Sequence, residues 1–340
     1  MSRPRLPLRN ELLVGDAHDQ LRALPDASVD MVLTSPPYFR LRDYQTSGQL
    51  GLEAHVEQWV NGLHQVSREL HRVLLPTGSF WLNLADTYST HPTQGAGRKS
   101  LVLGPERLAL GLLADGWLLR NKIVWAKANP MPSSVRDRLT TSWEVLYVFV
   151  KQPRYFFDLD AIRQPHLTAH RGRINAADDR PRIRELWRGP NGDDASGLEL
   201  LKARGIVGHP FGKNPGDVWT IASSSYRGAH HATFPVRLAE RAILAGSPEA
   251  RCAQCRLPWR RRLLRSLGGT AVRGVLGPTC ACQADNEPAI VLDPFFGAGT
   301  TAVAAEQHGR DWLGIELNPA YAAEAAARLA QTPPGQAAAA

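Results

Sequence analysis

The chain has 340 residues, 43% of them hydrophobic, and carries 40 Lys and Arg against 32 Asp and Glu. This length is sufficient for one large α/β domain with insertions, and the formal net charge of +8 favours a polyanionic partner. The sequence has no apolar run of about 18 residues, and segment 1–10 is rich in Arg and Pro, so it supports neither a membrane span nor a signal peptide and predicts a cytoplasmic protein.

Short apolar segments alternate with segments of helical periodicity along most of the chain. In chain order, the pattern predicts strands at 11–14 and 29–33, a helix at 55–75 that Pro76 ends, a strand at 79–84, a helix at 103–115, and strands at 122–126 and 145–150. Such alternation predicts a mostly parallel, doubly wound sheet with helices on both faces.

Two segments interrupt the alternation. Residues 157–215 are rich in Arg, Gly, Pro and Asp and are predicted to be an insertion. A helix is then predicted over 234–245, opened by Pro235 and followed by Gly246. The second insertion, 247–287, contains all four cysteines, and regular structure returns at 289–329.

The nine residues from Asp293 to Thr301, DPFFGAGTT, follow the apolar run 289–292 and precede an alanine-rich helical stretch. A strand, a glycine-rich turn and a helix in this order form a docking place for a nucleotide-like cofactor. Gly297 and Gly299 allow the backbone to pass close to a ligand. The loop lacks the Gly-Lys-Ser/Thr of a phosphate loop and the third glycine of a dinucleotide fold, so neither of those sites is favoured.

Glu316 ends the next predicted strand, about 20 residues after the glycine-rich loop. An acid at that place can accept hydrogen bonds from two ribose hydroxyls, although a solvated charge at the strand end is the alternative. Asn318 and Pro319 then begin the last predicted helix.

Residues Thr34 to Tyr38, TSPPY, follow the second predicted strand. Two prolines stiffen the backbone and remove two N–H donors, which leaves carbonyl acceptors for an amine. The Ser35 hydroxyl and the Pro36 carbonyl are candidates to accept from an exocyclic amino group, and Tyr38 offers a ring on which an extruded base can stack. The alternative is a Pro-Pro turn with a buried Tyr.

With these motifs in this order, the chain resembles the β-class DNA amino-methyltransferases over residues 12–329. In that family the base-binding motif comes first, a target-recognition region lies in the middle, and the S-adenosylmethionine loop comes last. The resemblance implies a Rossmann-like methyltransferase fold with circularly permuted motif order and direct in-line methyl transfer to an extruded base.

Further segments contribute to the resemblance. Residues 14–17 and 28–30 resemble the part before the catalytic strand, where Asp16 would contact the cofactor adenine. Residues 123–138 resemble the mid-domain motifs, and 217–219 with 232–235 resemble the segment against the methionine end of the cofactor.

The motifs and the resemblance together assign two sets of residues. The catalytic set is Ser35, Pro36, Pro37 and Tyr38, and the cofactor set is Asp16, Phe234, Asp293, Pro294, Phe295, Gly297, Gly299, Thr300, Thr301, Glu316 and Asn318. Asp86, after the strand at 79–84, is a candidate to orient Ser35 or receive a proton, with helix capping as the alternative.

The resemblance also divides the chain into functional parts. It implies a catalytic part with the base motif at 11–156, a target-recognition insertion at 157–215, a return to the catalytic domain at 216–246, a Cys-rich insertion at 247–287, a cofactor-binding part at 288–330 and a disordered tail at 331–340.

Arginines are concentrated in both insertions. Seven lie between Arg163 and Arg188, and seven between Arg251 and Arg273. Beside a base-modifying site we expect phosphate contacts, with solvated surface loops as the alternative. The candidate DNA-binding residues are Arg171, Arg173, Arg182, Arg184, Arg260 and Arg261.

Cys252 and Cys255 form one close pair, and Cys280 and Cys282 another. Two such pairs favour a structural zinc site, although the single residue inside the second pair departs from the usual spacing, and free thiols are the alternative.

A Ser directly before the two prolines of the base motif, here Ser35, implies cytosine N4 as the methyl acceptor within the family, with adenine N6 as the alternative. The implied partners are double-stranded DNA, a separately acting restriction endonuclease and a second copy of the chain. Methylation of RNA or a protein amide, and a non-catalytic zinc-containing DNA-binding protein, are the other hypotheses.

Overall fold

A twisted sheet of eight strands forms the centre of the protein in the computed structural model, which describes residues 8–165, 209, 211–223, 234–265 and 271–332. The strands in the described residues are β1 Glu11–Val14, β2 Val29–Thr34, β3 Leu74–Leu84, β4 Leu118–Lys127, β5 Trp143–Val150, β6 Val218–Ile221, β7 Ala250–Cys252, β8 Arg260–Arg265, β9 Ala271–Gly277, β10 Asn286–Pro288, β11 Ile290–Asp293 and β12 Asp311–Glu316. The helices are α1 Ala17–Arg22, α2 Val56–Val73, α3 Gly104–Ala114, α4 Val236–Gly246, α5 Thr300–Gln307 and α6 Pro319–Ala330.

The strand order in the large sheet is β1-β12-β11-β2-β3-β5-β4-β6. Neighbouring strands are parallel except at β5, which runs antiparallel to both β3 and β4. The predicted mostly parallel sheet is therefore confirmed, and the carboxyl ends of β1, β12, β11, β2 and β3 lie together at one edge.

Helices cover both faces of this sheet, as the doubly wound pattern predicts. One core contains Trp59 and Leu70 of α2 with Val32 of β2, and the other contains Leu238 and Ile243 of α4 with Met31 and Leu33 of β2. The alternation along β2 reflects the period of two in a strand that is buried on both faces.

Pro76 does not end the second helix as predicted. Helix α2 ends at Val73, and β3 begins at Leu74 and continues through Pro76. The register between β2 and β3 shifts after the Val29–Leu74 pair and resumes at Met31–Ser79. Because the ladder is interrupted there, a residue without an N–H donor is tolerated inside the strand.

The Cys-rich insertion lies at the amino-terminal edge of the sheet. Its strands β7 and β10 pair antiparallel, and β10 leads directly into β11, while β8 and β9 form a hairpin. Arg251 of β7 donates to the Ser28 carbonyl just before β2, at 3.0 Å. Across the described residues, the helices are too short or too polar to cross a membrane.

Candidate active site

The two motifs of the sequence meet because β2 and β11 are neighbours in the sheet. Thr34 donates its hydroxyl to Asp293 Oδ1 at 2.6 Å, and Thr301 donates to Asp293 Oδ2 at 2.6 Å. Burial raises the pKa of Asp293 to about 7, although both hydroxyls and the Phe295 N–H lower it. This carboxyl group joins the base motif to the glycine-rich loop.

A cavity of about 230 Å³ lies beside the carboxyl ends of β1, β2, β11 and β12. Eight of the residues predicted for the cofactor line it, namely Asp16, Phe234, Pro294, Phe295, Gly297, Thr300, Glu316 and Asn318. Asp293, Gly299 and Thr301 are not among the lining residues, and Asp293 and Thr301 are buried. Their contacts support the loop instead.

Glu316 connects the glycine-rich loop to the start of α6. Its two carboxylate oxygens accept the backbone N–H groups of Gly297 and Asn318, each at 2.8 Å. Gly297, with a φ of 51°, has a backbone conformation that favours glycine. Burial raises the pKa of Glu316, and the carboxylate keeps lone pairs for a ligand because each oxygen can accept more than one hydrogen bond.

Asp16 and Asn318 are fixed by the helices that they begin. Asp16 Oδ1 accepts the N–H of Asp19 at the start of α1, and Asn318 Oδ1 accepts that of Ala320 at the start of α6. Both residues therefore stand at helix N-termini along the cavity wall, where partial positive charge favours electron-rich groups.

A second cavity, of about 690 Å³, adjoins the first. Ser35, Tyr44 and Phe234 line both cavities. The other polar residues of the second cavity include Tyr38, Asn83, Lys127 and Glu144. Ser35 therefore stands where a group in one cavity can reach a group in the other.

A chain of hydrogen bonds leads away from Ser35. Ser35 Oγ lies 3.1 Å from the Tyr38 hydroxyl, which donates to Glu144 Oε2 at 2.6 Å. Lys127 Nζ lies 2.7 Å from Glu144 Oε1. Burial, followed by the Glu144 charge, raises the pKa of Tyr38 well above its ordinary value, so the phenol stays protonated.

These contacts determine to which group the Ser35 hydroxyl donates its hydrogen bond. A tyrosine hydroxyl has one proton, and Tyr38 gives it to Glu144, so the Ser35 O–H must donate to Tyr38. The lone pairs of Ser35 Oγ are consequently available to accept from a bound amine.

Like Glu144, Asn83 is a side chain in this group that the sequence reasoning missed. Its Nδ2 lies 2.7 Å from both Tyr38 Oη and Glu144 Oε2, and 3.4 Å from Ser35 Oγ. Its Oδ1 is buried without a hydrogen-bond partner among the described residues. An amide near the end of the largely apolar strand at 79–84 is the sequence signal that could have identified it, since buried polar groups are normally paired.

Asp86 has the helix-cap role that was the alternative prediction. Its carboxylate accepts the backbone N–H groups of Leu103 at 3.0 Å and Gly104 at 3.2 Å, at the start of α3. Among the described residues, Asp86 makes no hydrogen bond with Ser35, and Asn83 lies within reach of Ser35 instead. Burial raises the pKa of Asp86.

The base motif also makes contacts that the sequence did not predict. The Tyr38 side chain is half-buried and packs against the core, with its hydroxyl in the Glu144 contact. The Pro37 carbonyl accepts the indole N–H of Trp59 at 2.8 Å, which anchors the turn. Base stacking on Tyr38 stays a prediction.

Four of the candidate DNA-binding arginines lie outside the described residues: Arg171, Arg173, Arg182 and Arg184. The same is true of most of insertion 157–215 and of the tail from 333 onward. Arg260 and Arg261 lie in β8, in the insertion at the amino-terminal edge. Arg261 binds both carboxylate oxygens of Glu249 at 2.7 Å, and the Arg260 guanidinium lies 4.9 Å from the Phe156 ring centroid. DNA contact by these arginines stays a prediction.

Comparisons with known proteins agree with this geometry. A family model of N6/N4-type DNA methylases matches residues 29–327. The type II methyltransferase M.Cfr9I of Citrobacter freundii is 32% identical over 94% of this chain and 87% of its own length.

Solved structures share the fold. PvuII DNA methyltransferase (cytosine-N4-specific) matches with a TM-score of 0.58 and 18% identity, covering 95% of this chain and 86% of the other. TTHA0409 of Thermus thermophilus, complexed with S-adenosyl-L-methionine, matches with a TM-score of 0.55 and 24% identity, covering 96% and 95%.

Proposed function

The chain belongs to the N6/N4 DNA methylase family, and we propose that it transfers the methyl group of S-adenosylmethionine to the N4 amine of cytosine in double-stranded DNA. The observation that carries the proposal is the pair of adjoining cavities with Ser35 in their common wall. One cavity fits the methyl donor, and the other receives an extruded base.

The donor cavity suits a nucleoside with a charged amino-acid end. Glu316 can accept from ribose hydroxyls, Asp16 can accept from the adenine amine, and Phe234 closes the side toward the second cavity. The complex of TTHA0409 with S-adenosyl-L-methionine supports this assignment through the shared fold. When bound, S-adenosylmethionine supplies an electrophilic methyl group on a sulfonium.

Lys127 in the second cavity favours cytosine over adenine. Beside the acceptor nitrogen of the ring, cytosine carries the O2 carbonyl, whereas adenine carries a C–H group. The Lys127 ammonium has three donors and uses one for Glu144, so it can donate to O2. The cytosine-N4 specificity printed for the PvuII enzyme and the Ser in the motif agree with this choice.

Ser35 prepares the amine for attack. The nitrogen lone pair of cytosine N4 is delocalised into the ring, and hydrogen bonds from the amine to acceptors concentrate electron density on the nitrogen. Ser35 Oγ, Asn83 Oδ1 and the Pro36 carbonyl belong to residues that line the second cavity and are the proposed acceptors. Positioning beside the donor supplies much of the remaining acceleration.

The chain of hydrogen bonds gives the amine a route for its proton. Transfer of the methyl group would break its bond to the donor sulfur, leave a neutral thioether and form the new N–C bond, after which the nitrogen carries one proton too many and gives it to Ser35 Oγ. The Ser35 proton passes to Tyr38, and the Tyr38 proton passes to the Glu144 carboxylate, which later releases it to solvent. Every hydroxyl is thereby restored, and no covalent enzyme intermediate is needed.

We also propose that the enzyme takes part in restriction-modification, acting on its site separately from an endonuclease. The type II designation of the M.Cfr9I relative supports this role. A homodimer and the tasks of the target-recognition insertion stay predictions.

Nucleoside mass spectrometry tests the proposed function. Purified protein is incubated with unmethylated DNA and S-adenosylmethionine that carries a labelled methyl group, and the DNA is then digested. We expect label in N4-methylcytosine and none in the Ser35→Ala reaction.

Two other outcomes contradict the proposal. Label in N6-methyladenine would establish the adenine enzyme, and an unlabelled digest despite tight DNA binding would support a non-catalytic DNA-binding protein.

A further inference from the structure

The four cysteines form a cluster that the proposed methyl transfer does not use. The sulfur atoms of Cys252, Cys255, Cys280 and Cys282 all lie within 4.8 Å of one another, and none is in a disulfide. A tetrahedral zinc ion with Zn–S bonds of about 2.3 Å holds its sulfurs roughly 3.8 Å apart. The cluster therefore needs only small adjustments to hold one ion.

Both cysteine pairs sit in tight turns that direct backbone N–H groups at sulfur. Cys252 accepts from Gln254 and Cys255, and Cys280 accepts from Cys282. The residue after each pair has a left-handed backbone, with a φ of 62° at Arg256 and 55° at Gln283. The two turns therefore hold the four sulfur atoms close together.

Few hydrophobic side chains are buried in the part of the insertion that the structure describes. Among the described residues of 247–287, the buried hydrophobic side chains are Ala250 and Cys252. Strands β7 and β10 are each three residues long, so their pairing contributes few contacts toward closing the long loop between them. Small modules of this kind usually need a metal or disulfides.

We propose that the four cysteines bind one structural zinc ion, and that this zinc clasp holds Arg251 in place at the amino end of β2. Four thiolates close the coordination sphere and leave no open position for chemistry. Arg251 is the neighbour of Cys252, is fully buried, and binds Asp30 Oδ2 at 2.7 Å. Arg256, directly after the first pair, donates to the Ala27 carbonyl at 2.6 Å.

Metal content and thermal unfolding together test the clasp. Protein purified without chelators from zinc-containing medium is expected to hold one zinc per chain by mass spectrometry of the elements. Cys255→Ser and Cys282→Ser are expected to lose that zinc and to unfold about 5 °C or more below the wild type. Gln254→Ser, between two proposed ligands, is the matched control and should retain both properties.

Several results would overturn the clasp: metal-free protein, iron in place of zinc, or a Cys255→Ser protein with a full complement of zinc. Zinc loss without a change in unfolding temperature would exclude the structural role. If the serine variants do not fold, release of zinc from the wild type by a mercurial thiol reagent gives the stoichiometry. Methyl transfer is not measured, so these results are independent of the proposed function.

Discussion

Asp293 and Asp30 are buried carboxyl groups at opposite edges of the central sheet, and their hydrogen-bond partners differ. Asp293 at the carboxyl edge meets two threonine hydroxyls, and burial raises its pKa to about 7. Asp30 at the amino edge meets the Arg251 guanidinium, and burial raises its pKa to about 6 against the effect of that charge.

Because their partners differ, we expect the carboxyl edge to serve the chemistry and the amino edge to serve the stability of the fold. At the carboxyl edge, hydroxyl, amide and carboxylate groups open onto two cavities, so a substrate can complete their hydrogen bonds. At the amino edge, Arg251 uses Ser28, Asp30 and Glu287 and leaves the ion pair closed to solvent. Substitutions at the first edge should therefore affect activity, and those at the second should affect folding.

The largest expected effect is on turnover, from Glu144→Gln. The variant removes the proton acceptor beyond Tyr38, so we expect kcat to fall by about 100-fold or more, since proton transfer contributes factors of this order. Binding of S-adenosylmethionine, measured by calorimetry, should stay within about two-fold, because Glu144 does not line the donor cavity.

Glu106→Gln is the matched control for Glu144. Glu106 binds Lys122 at 2.8 Å and accepts from the Tyr147 hydroxyl at 3.4 Å, so it belongs to a second Lys-Glu-Tyr group, but it lines neither of the two cavities. The kcat of the Glu106→Gln enzyme should stay close to that of the wild type. Full turnover by the Glu144→Gln enzyme would contradict the proposed proton route and would weaken the contrast between the edges.

Arg251→Met should act on stability. The variant leaves the Asp30 carboxyl buried without its charge partner, so we expect the free energy of unfolding in urea at pH 8 to fall by about 3–5 kcal/mol. Asp30→Asn combined with Arg251→Met should recover part of this loss, because the remaining group is neutral. At a temperature where the single variant is folded, an unchanged Kd for S-adenosylmethionine is expected; a weakened Kd would show that the edges are coupled.

The last expected effect is a pH dependence of stability at Asp293. Its pKa is about 7 in the folded protein against a reference of 3.8, so the unfolded chain loses this proton first as the pH rises. The stabilising contribution is complete below pH 4 and is lost between about pH 4 and 7, by up to about 4 kcal/mol.

Asp293→Asn should flatten that dependence. Its free energy of unfolding is expected to fall less than that of the wild type between pH 5 and 7, and the slope that remains includes the contribution of Asp30 at the other edge. Parallel curves for the two proteins would mean that the Asp293 pKa is not raised.

Much of the fold was predictable because its signals are local. Apolar runs located every strand of the large sheet except β6, and Pro235 and Gly246 marked α4 closely. The prediction that Pro76 ends a helix was wrong because its place in β3 depends on a register shift with β2. That strand lies 45 residues earlier in the chain. The target-recognition assignments stay predictions.

The sequence by itself determined the class of chemistry. The residue types of the two motifs, their order, and the two cysteine pairs can be read along the chain, because each motif needs only its neighbours to be recognised. The glycine-rich loop also indicated its own ligand, through Gly297 and Glu316.

Only the tertiary structure decided which side chains support Ser35. Asn83, Lys127 and Glu144 lie on three strands, β3, β4 and β5, and approach Tyr38 because β5 runs antiparallel between the other two. The same packing places Asp86 where it caps α3 and places the cysteines at the amino edge of the sheet. Distances between groups far apart in sequence depend on strand order and direction, which no local pattern encodes.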